Sequence, residues 1–266
     1  MISSEIMAAL GLFLIVGAAN GIVGCCIGIC GIAGFLLPML YTGFLDFSVD
    51  QALAYSFLAF LISGILGSVN YKKAGNLDVP LSVKLGIGSL LGAVGGVFLQ
   101  AMITQKTAKA LLYLVVLFSG ISILIRLWKE RKQAKDRKTA GKSRKALTDH
   151  LWFLLLLGIV TGAICSLSGA GGPVLVMPLL IIFGVPARAA VGVALFDSVF
   201  IAVPACIGYL SRIDMGEALW MLLLIAVTHG IGVLIGSKNA DRVPVNALKW
   251  FVGIFSVILS LFMLLG

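Results

Sequence analysis

Two glycine-rich stretches hold the residues best placed to meet a ligand. Gly162–Leu180 reads GAICSLSGAGGPVLVMPLL, and Gly24–Leu40 reads GCCIGICGIAGFLLPML. Each begins as an apolar, helix-like run, breaks at a glycine cluster and resumes just before a proline. A helix that restarts inside a membrane points free backbone N–H groups and its positive dipole end at whatever precedes it. Gly169, Gly171 and Gly172 let that backbone come close to a ligand, and Ser166 and Ser168 add hydroxyl donors. Cys30, Gly31 and Gly34 form the mirrored end, with Asn20 one side-chain reach upstream. Two such ends facing each other would hold a small anion without a buried cation. Ser56 and Asn70 are further candidates, of the kind that also serves as interhelical glue.

Two ionisable residues sit deep in apolar runs: Asp197 in GVALFDSVFIAV and His229 in LLLIAVTHGIGVLIG. A charge at that depth costs about 2.5–3.5 kcal/mol, so such residues face a cavity or a partner. The chemistry expected of both is proton handling. Neither has a counterpart in the first half, where the matching regions read Tyr55-Ser56-Phe57-Leu58 and Leu91-Gly92. A scaffold that only needs packing has no reason to acquire costly residues in one half alone.

The elements that must position these groups follow from composition. The chain has 266 residues, 60% hydrophobic and 12% charged, with a mean hydropathy of +1.12. A soluble domain of that composition would have an apolar surface, whereas runs of about 20 apolar residues cross a bilayer. Irregular glycine-rich backbone at that depth must be packed in protein or line a cavity. The net charge is +9, and Arg126–Lys145 holds ten of the 20 Lys and Arg with two acids. That run reads as a cytoplasmic loop obeying the positive-inside rule rather than a nucleic-acid patch. The five cysteines all lie in apolar segments without CxxC spacing, so neither a disulfide framework nor a metal site is expected. Met1–Glu5 lacks the basic start of a cleavable signal peptide. No hydrolase, kinase, Walker or dinucleotide signature appears, so the expected protein is not an enzyme and needs no cofactor.

In chain order, the 35 residues Leu10–Phe44 would span roughly 52 Å as one helix, which two half-length helices meeting at the glycines explain better. Gln51–Tyr71, Leu81–Met102 and Thr107–Trp128 follow, then the basic run. The series then repeats as Leu151–Gly184, Ala187–Leu210, Met215–Ser237 and Pro244–Leu265. Tyr71…Asn76-Leu77-Asp78 pairs with Tyr209…Arg212-Ile213-Asp214, Pro38 with Pro178, and Ala110-Leu111 with Ala247-Leu248. This register implies an internal duplication. The expected fold is an all-α polytopic membrane protein of two homologous repeats, each a broken or re-entrant helix pair plus three transmembrane helices. The repeats are 1–128 and 149–266, joined by a basic cytoplasmic linker, 129–148. Charge bias favours an inverted relation, which places Lys72, Lys73, Lys84, Arg188, Lys238 and Arg242 inside, and Lys106, Lys109, Arg212 and both termini outside.

The duplicated glycine cluster followed by a proline, Ala52–Ser56 (ALAYS), Gly75-Asn76-Leu77-Asp78 and the Gly-rich third span Gly86–Gly96 together resemble the sulfite exporter TauE/SafE family, the toluene-sulfonate uptake permeases. The likeness covers nearly the whole chain. It implies secondary transport of small sulfur-containing anions such as sulfite, sulfoacetate or other sulfonates, coupled to protons, in a bacterial-type inner membrane. Other small carboxylates, or a cation or metal, are the alternative cargo. The expected partners are the anion, protons and the lipid bilayer, with no nucleic acid. Exposed apolar faces are compatible with a homodimer, although nothing in the sequence demands one.

Overall fold

The computed structural model describes residues 2–31, 33–135, 150–240 and 245–265. Most of the expected linker 129–148 lies outside these residues. The described residues form ten helices and no strand. These are α1 (Ile2–Cys30), α2 (Leu36–Gly43), α3 (Val49–Lys73), α4 (Val79–Ala101), α5 (Gln105–Lys135), α6 (Leu151–Ser168), α7 (Gly172–Ile182), α8 (Ala187–Leu210), α9 (Met215–Lys238) and α10 (Val245–Leu265). Seven of them are long and apolar enough to cross a membrane.

Side-chain placement fits lipid as the outer solvent. Large apolar residues such as Trp152, Phe98, Phe118, Ile207 and Phe251 are exposed, while Asn20, Ser56, Ser89, Thr161, Asp197 and His229 are buried. In hydrocarbon an exposed apolar side chain loses nothing, and a polar one must find its partner inside.

Local chemistry sets the helix starts. Ser48 caps α3 in a capping box with Gln51, while Asp78 and Asp214 accept backbone N–H bonds at the starts of α4 and α9. The recurring Asp of the sequence pattern is therefore a pair of N-caps.

Small residues set the pairing. Gly88 lies against Leu155, Gly92 against Ile159 and Gly96 against Ala163, so α4 runs parallel to α6 with backbones nearly touching. Gly24 lies against His229 and Gly28 against Val233, so α1 runs parallel to α9 in the same way. A Cβ at Gly24 would sit 2.6 Å from the His229 carbonyl oxygen, closer than packed atoms allow. By contrast, Gly64 meets Val199 and Gly67 meets Leu195, so α3 and α8 are antiparallel. Gly120 meets Ser256 and Gly253 meets Leu124, so α5 and α10 are antiparallel too. Each of the eight long helices thus packs mainly on one from the other half of the chain, while the short α2 and α7 pack on α3 and α8 of their own half.

The two broken segments are unequal. In place of two half-length helices, α1 is 29 residues long and α2 only eight; α6 and α7 have 18 and 11. Nothing interrupts the α1 hydrogen-bond ladder before Gly31, so the helix runs through to its glycine before the chain turns. Asn20 of α1 reaches Tyr41 of α2, so α2 folds back alongside α1.

Candidate functional site

The backbone at the second break is set by its glycines. Gly169 and Gly171 take φ of +73° and +71°, a region that an L side chain enters only under strain. Gly169 closes α6 and Gly171 precedes α7, whose first turn carries Pro173. At the first break Gly31 has φ +71°, but Ala33 stands at φ 98° without the glycine that would relieve it.

The breaks lie back to back in the centre of the molecule. A Cβ at Gly31 would be 3.7 Å from Pro173, and one at Gly169 would be 3.4 Å from Pro38. Phe60 stands between them, its ring edges facing Gly34 on one side and Gly171 on the other. Gly31, Gly34, Gly171, Ser63 and Ser198 line a small void of about 10 Å³ there. Cys30 and Asn70 instead line a larger cavity of about 350 Å³, open at one face of the bundle. Its wall also includes Tyr71, Asn76, Met177, Arg188, Val191, Ser237 and Lys249, with Arg126 from the end of α5. Three cations stand among its described lining residues.

The hydroxyls expected as ligand donors are turned inward. Ser168 Oγ donates to Ile164 O at 2.6 Å and Ser166 Oγ to Ala163 O at 3.2 Å, each on its own helix. Gly172 packs against Ser198 of α8. Asn20 is buried and donates to Val16 O at 2.8 Å and to the Tyr41 hydroxyl at 2.7 Å, while its side-chain oxygen has no partner. It serves the α1–α2 hairpin and lies apart from the open cavity. Asn70 donates to Ser237 Oγ at 2.5 Å, joining α3 to α9 at the cavity wall. Ser56 is fully buried and its hydroxyl unpartnered.

Asp197 and His229 are both fully buried and sit in separate places. Asp197 lies on α8 facing the Ser89 hydroxyl of α4 and Cys165 of α6. His229 lies on α9 against α1, beside Gly24 and the backbone of Asn20. The packing also sets their register. Gly24 meets the His229 carbonyl and Gly162 meets that of Ser89, so Ser89, not Leu91-Gly92, holds the place in α4 that His229 holds in α9.

Sequence reasoning missed Ser89, which looked like one more serine in a packing helix. Tyr209, which the repeat pattern singled out, proves an anchor: its buried hydroxyl donates to Ser166 O at 2.8 Å, tying α8 to the end of α6. None of the five cysteines is in a disulfide. Among the described residues no three of His, Cys, Asp and Glu gather as a metal site.

Apolar spans around inward-turned polar groups, two interrupted helices meeting at the centre and a basic cavity open at one face define a multi-pass membrane transporter. Comparison with known proteins narrows that class. The family profile of the sulfite exporter TauE/SafE proteins matches residues 10–263, and the chain belongs to that family. It is similar to the probable membrane transporter protein MJ0441 of Methanocaldococcus jannaschii, with 24% identity covering 96% of this chain and 97% of the relative. The probable membrane transporter protein YdhB of Bacillus subtilis is 25% identical over 88% of this chain and 92% of its own. YtnM of the same organism, also a probable membrane transporter protein, is 27% identical over 70% of this chain and 61% of its own. No solved structure matches the chain.

Proposed function

We propose that the chain is a secondary carrier of small sulfur-containing anions, sulfite or an organosulfonate, working by alternating access around the paired breaks and coupled to protons through Asp197. The observation that carries this reading is the open cavity. Arg126, Arg188 and Lys249 reach it from α5, α8 and α10, so three cationic side chains stand along one wall. A guanidinium or ammonium there can pair with the oxygens of an entering anion. A cation or metal cargo finds no comparable support among the described residues.

The helix directions support an inverted repeat. Exchanging the first five helices with the last five maps the α4–α6 pair onto α9–α1, and both pairs are parallel. The same exchange maps α3 onto α8 and α5 onto α10, and these run antiparallel. With the cavity face in the cytoplasm, Lys72, Lys73, Lys84, Arg126, Arg188 and Lys238 lie on the positive side, in accord with the charge rule.

Asp197 is the favoured proton carrier over His229, because Ser89 and Cys165 put a hydroxyl and a thiol beside it next to the second break. An ionised carboxylate at that depth carries a penalty of about 2.5–3.5 kcal/mol, which proton uptake removes. The test is uptake of radiolabelled sulfite and sulfoacetate into proteoliposomes under an imposed pH gradient, with acetate as competitor. Accumulation that follows the gradient and resists acetate supports the reading. Equal transport of acetate overturns the sulfur preference, and accumulation indifferent to the gradient overturns the coupling.

A further inference from the structure

Beyond the cavity lies a polar cluster on the opposite face of the bundle. Arg212, in the turn after α8, donates to the Gln100 side-chain oxygen and, at 2.9 Å, to Val97 O, both at the end of α4. It also pairs with Asp50 of α3 at 3.5 Å, and both side chains are about a quarter exposed. Gln105 of α5 braces Asp50 from the other side at 3.3 Å and accepts from Val49 N at 3.0 Å. The guanidinium stands 5.2 Å from the ring of Tyr209, whose hydroxyl holds the end of α6 beside the second break. One side chain thus ties α3 and α4 to the end of α8 at this face.

The exchange of halves gives this cluster a counterpart. Tyr209 corresponds to Tyr71, Arg212 to Asn76, Asp50 to Arg188, Val97 to Ser237 and Gln100 to Ala240. All five counterparts line the open cavity. The same framework is therefore clasped at one face and open at the other, and the cation has changed sides within it.

We propose that Arg212 is the gate residue of the access path opposite the cavity, held shut by Asp50, whose carboxylate occupies the place an entering anion takes. This rests on the inverted-repeat reading above. The pair is about a quarter exposed and within reach of salt, so it is weak enough for a carrier to break in each cycle. An anion arriving from that face exchanges with Asp50 on the guanidinium, the clasp between α3, α4 and α8 loosens, and the opposite cavity closes as this one opens.

The test measures cysteine reactivity and needs no substrate, so it stands or falls apart from the cargo. Val97→Cys places a thiol at the clasp, and native Cys30 reports on the cavity. The protein in proteoliposomes is treated with N-ethylmaleimide, and peptide-resolved mass spectrometry follows both sites. Arg212→Gln or Asp50→Asn is then added. Removing a pair of this kind shifts a two-state equilibrium by about fivefold, so labelling at position 97 rises and labelling of Cys30 falls by about that factor. A rise at both sites means general loosening and overturns the gate. Unchanged rates at both overturn it as well, whatever sulfite transport shows. Asp50→Asn preserves size and decides the matter if Arg212→Gln does not fold.

Discussion

The two breaks occupy corresponding places and are built to different standards. The second places glycine at both left-handed positions, Gly169 and Gly171, and continues into an 11-residue helix. The first places glycine at Gly31 but alanine at Ala33, and continues into a helix of eight residues. Around the second stand Asp197, Ser89 and Cys165, with Tyr209 fastened to Ser166. Beside the first stand Asn20, bonded to Tyr41, and a single imidazole, His229, in the place of Ser89. The second break is relaxed in its backbone and surrounded by titratable chemistry; the first is strained and held by a hydrogen-bonded hairpin. On the repeat proposed above, one copy carries the chemistry and the other supplies the frame.

That contrast breaks most visibly at its relaxed side. Gly169→Ala forces a side chain into φ +73° and toward Leu53, so we expect a loss of about 1–3 kcal/mol and a clearly lower melting temperature in detergent. An unchanged melting temperature would mean that the break tolerates L residues and that its glycines have another purpose.

The chemical side of the contrast rests on Asp197. Asp197→Asn retains size and removes the exchangeable charge. We expect gradient-driven sulfite accumulation to drop by about tenfold, equivalent to roughly 1.4 kcal/mol, and its pH profile to flatten. Ser89→Ala should shift the profile and retain the coupling, because Ser89 only faces the carboxyl. A pH profile preserved in Asp197→Asn would move the proton to His229 or remove it from the mechanism.

At the first break the sign reverses. Ala33→Gly relieves an alanine at φ 98° and adds unfolded-chain entropy of about 0.5–1 kcal/mol. The two nearly cancel, so we expect stability level or raised by about 0.5 kcal/mol, against the clear loss from alanine at position 169. A loss at Ala33→Gly as large as at Gly169→Ala would erase the distinction between the breaks.

Much of this was legible in the sequence because lipid leaves few alternatives. Apolar runs of span length had to be helices, and glycine clusters at that depth had to be packed or beside a cavity. The isolated Asp197 and His229 were conspicuous against their own runs. The pairing was hidden, because α4 packs along α6 from the other half and only folding brings Ser89 to Asp197. Ser166 and Ser168 read as ligand donors since nothing in the sequence shows a hydroxyl bonding back to the preceding turn. Arg212 was legible only as a member of the repeat pattern, because its partners, Asp50, Val97 and Gln100, lie more than a hundred residues away.

The smallest expected effect tests the frame itself. Tyr41 is buried, and its hydroxyl receives a bond from Asn20 at 2.7 Å. Tyr41→Phe leaves the Asn20 amide still donating to Val16 O at 2.8 Å, so only one bond is lost. Its net worth is about 1 kcal/mol, less if the ring contacts with Phe47 and Tyr55 persist. We expect a slightly lower melting temperature and sulfite uptake with its pH profile unchanged, since the hairpin positions the first break without touching the proton path. If instead Tyr41→Phe flattens the pH profile as Asp197→Asn does, the first break shares the chemistry, and the division of labour between the two copies is wrong.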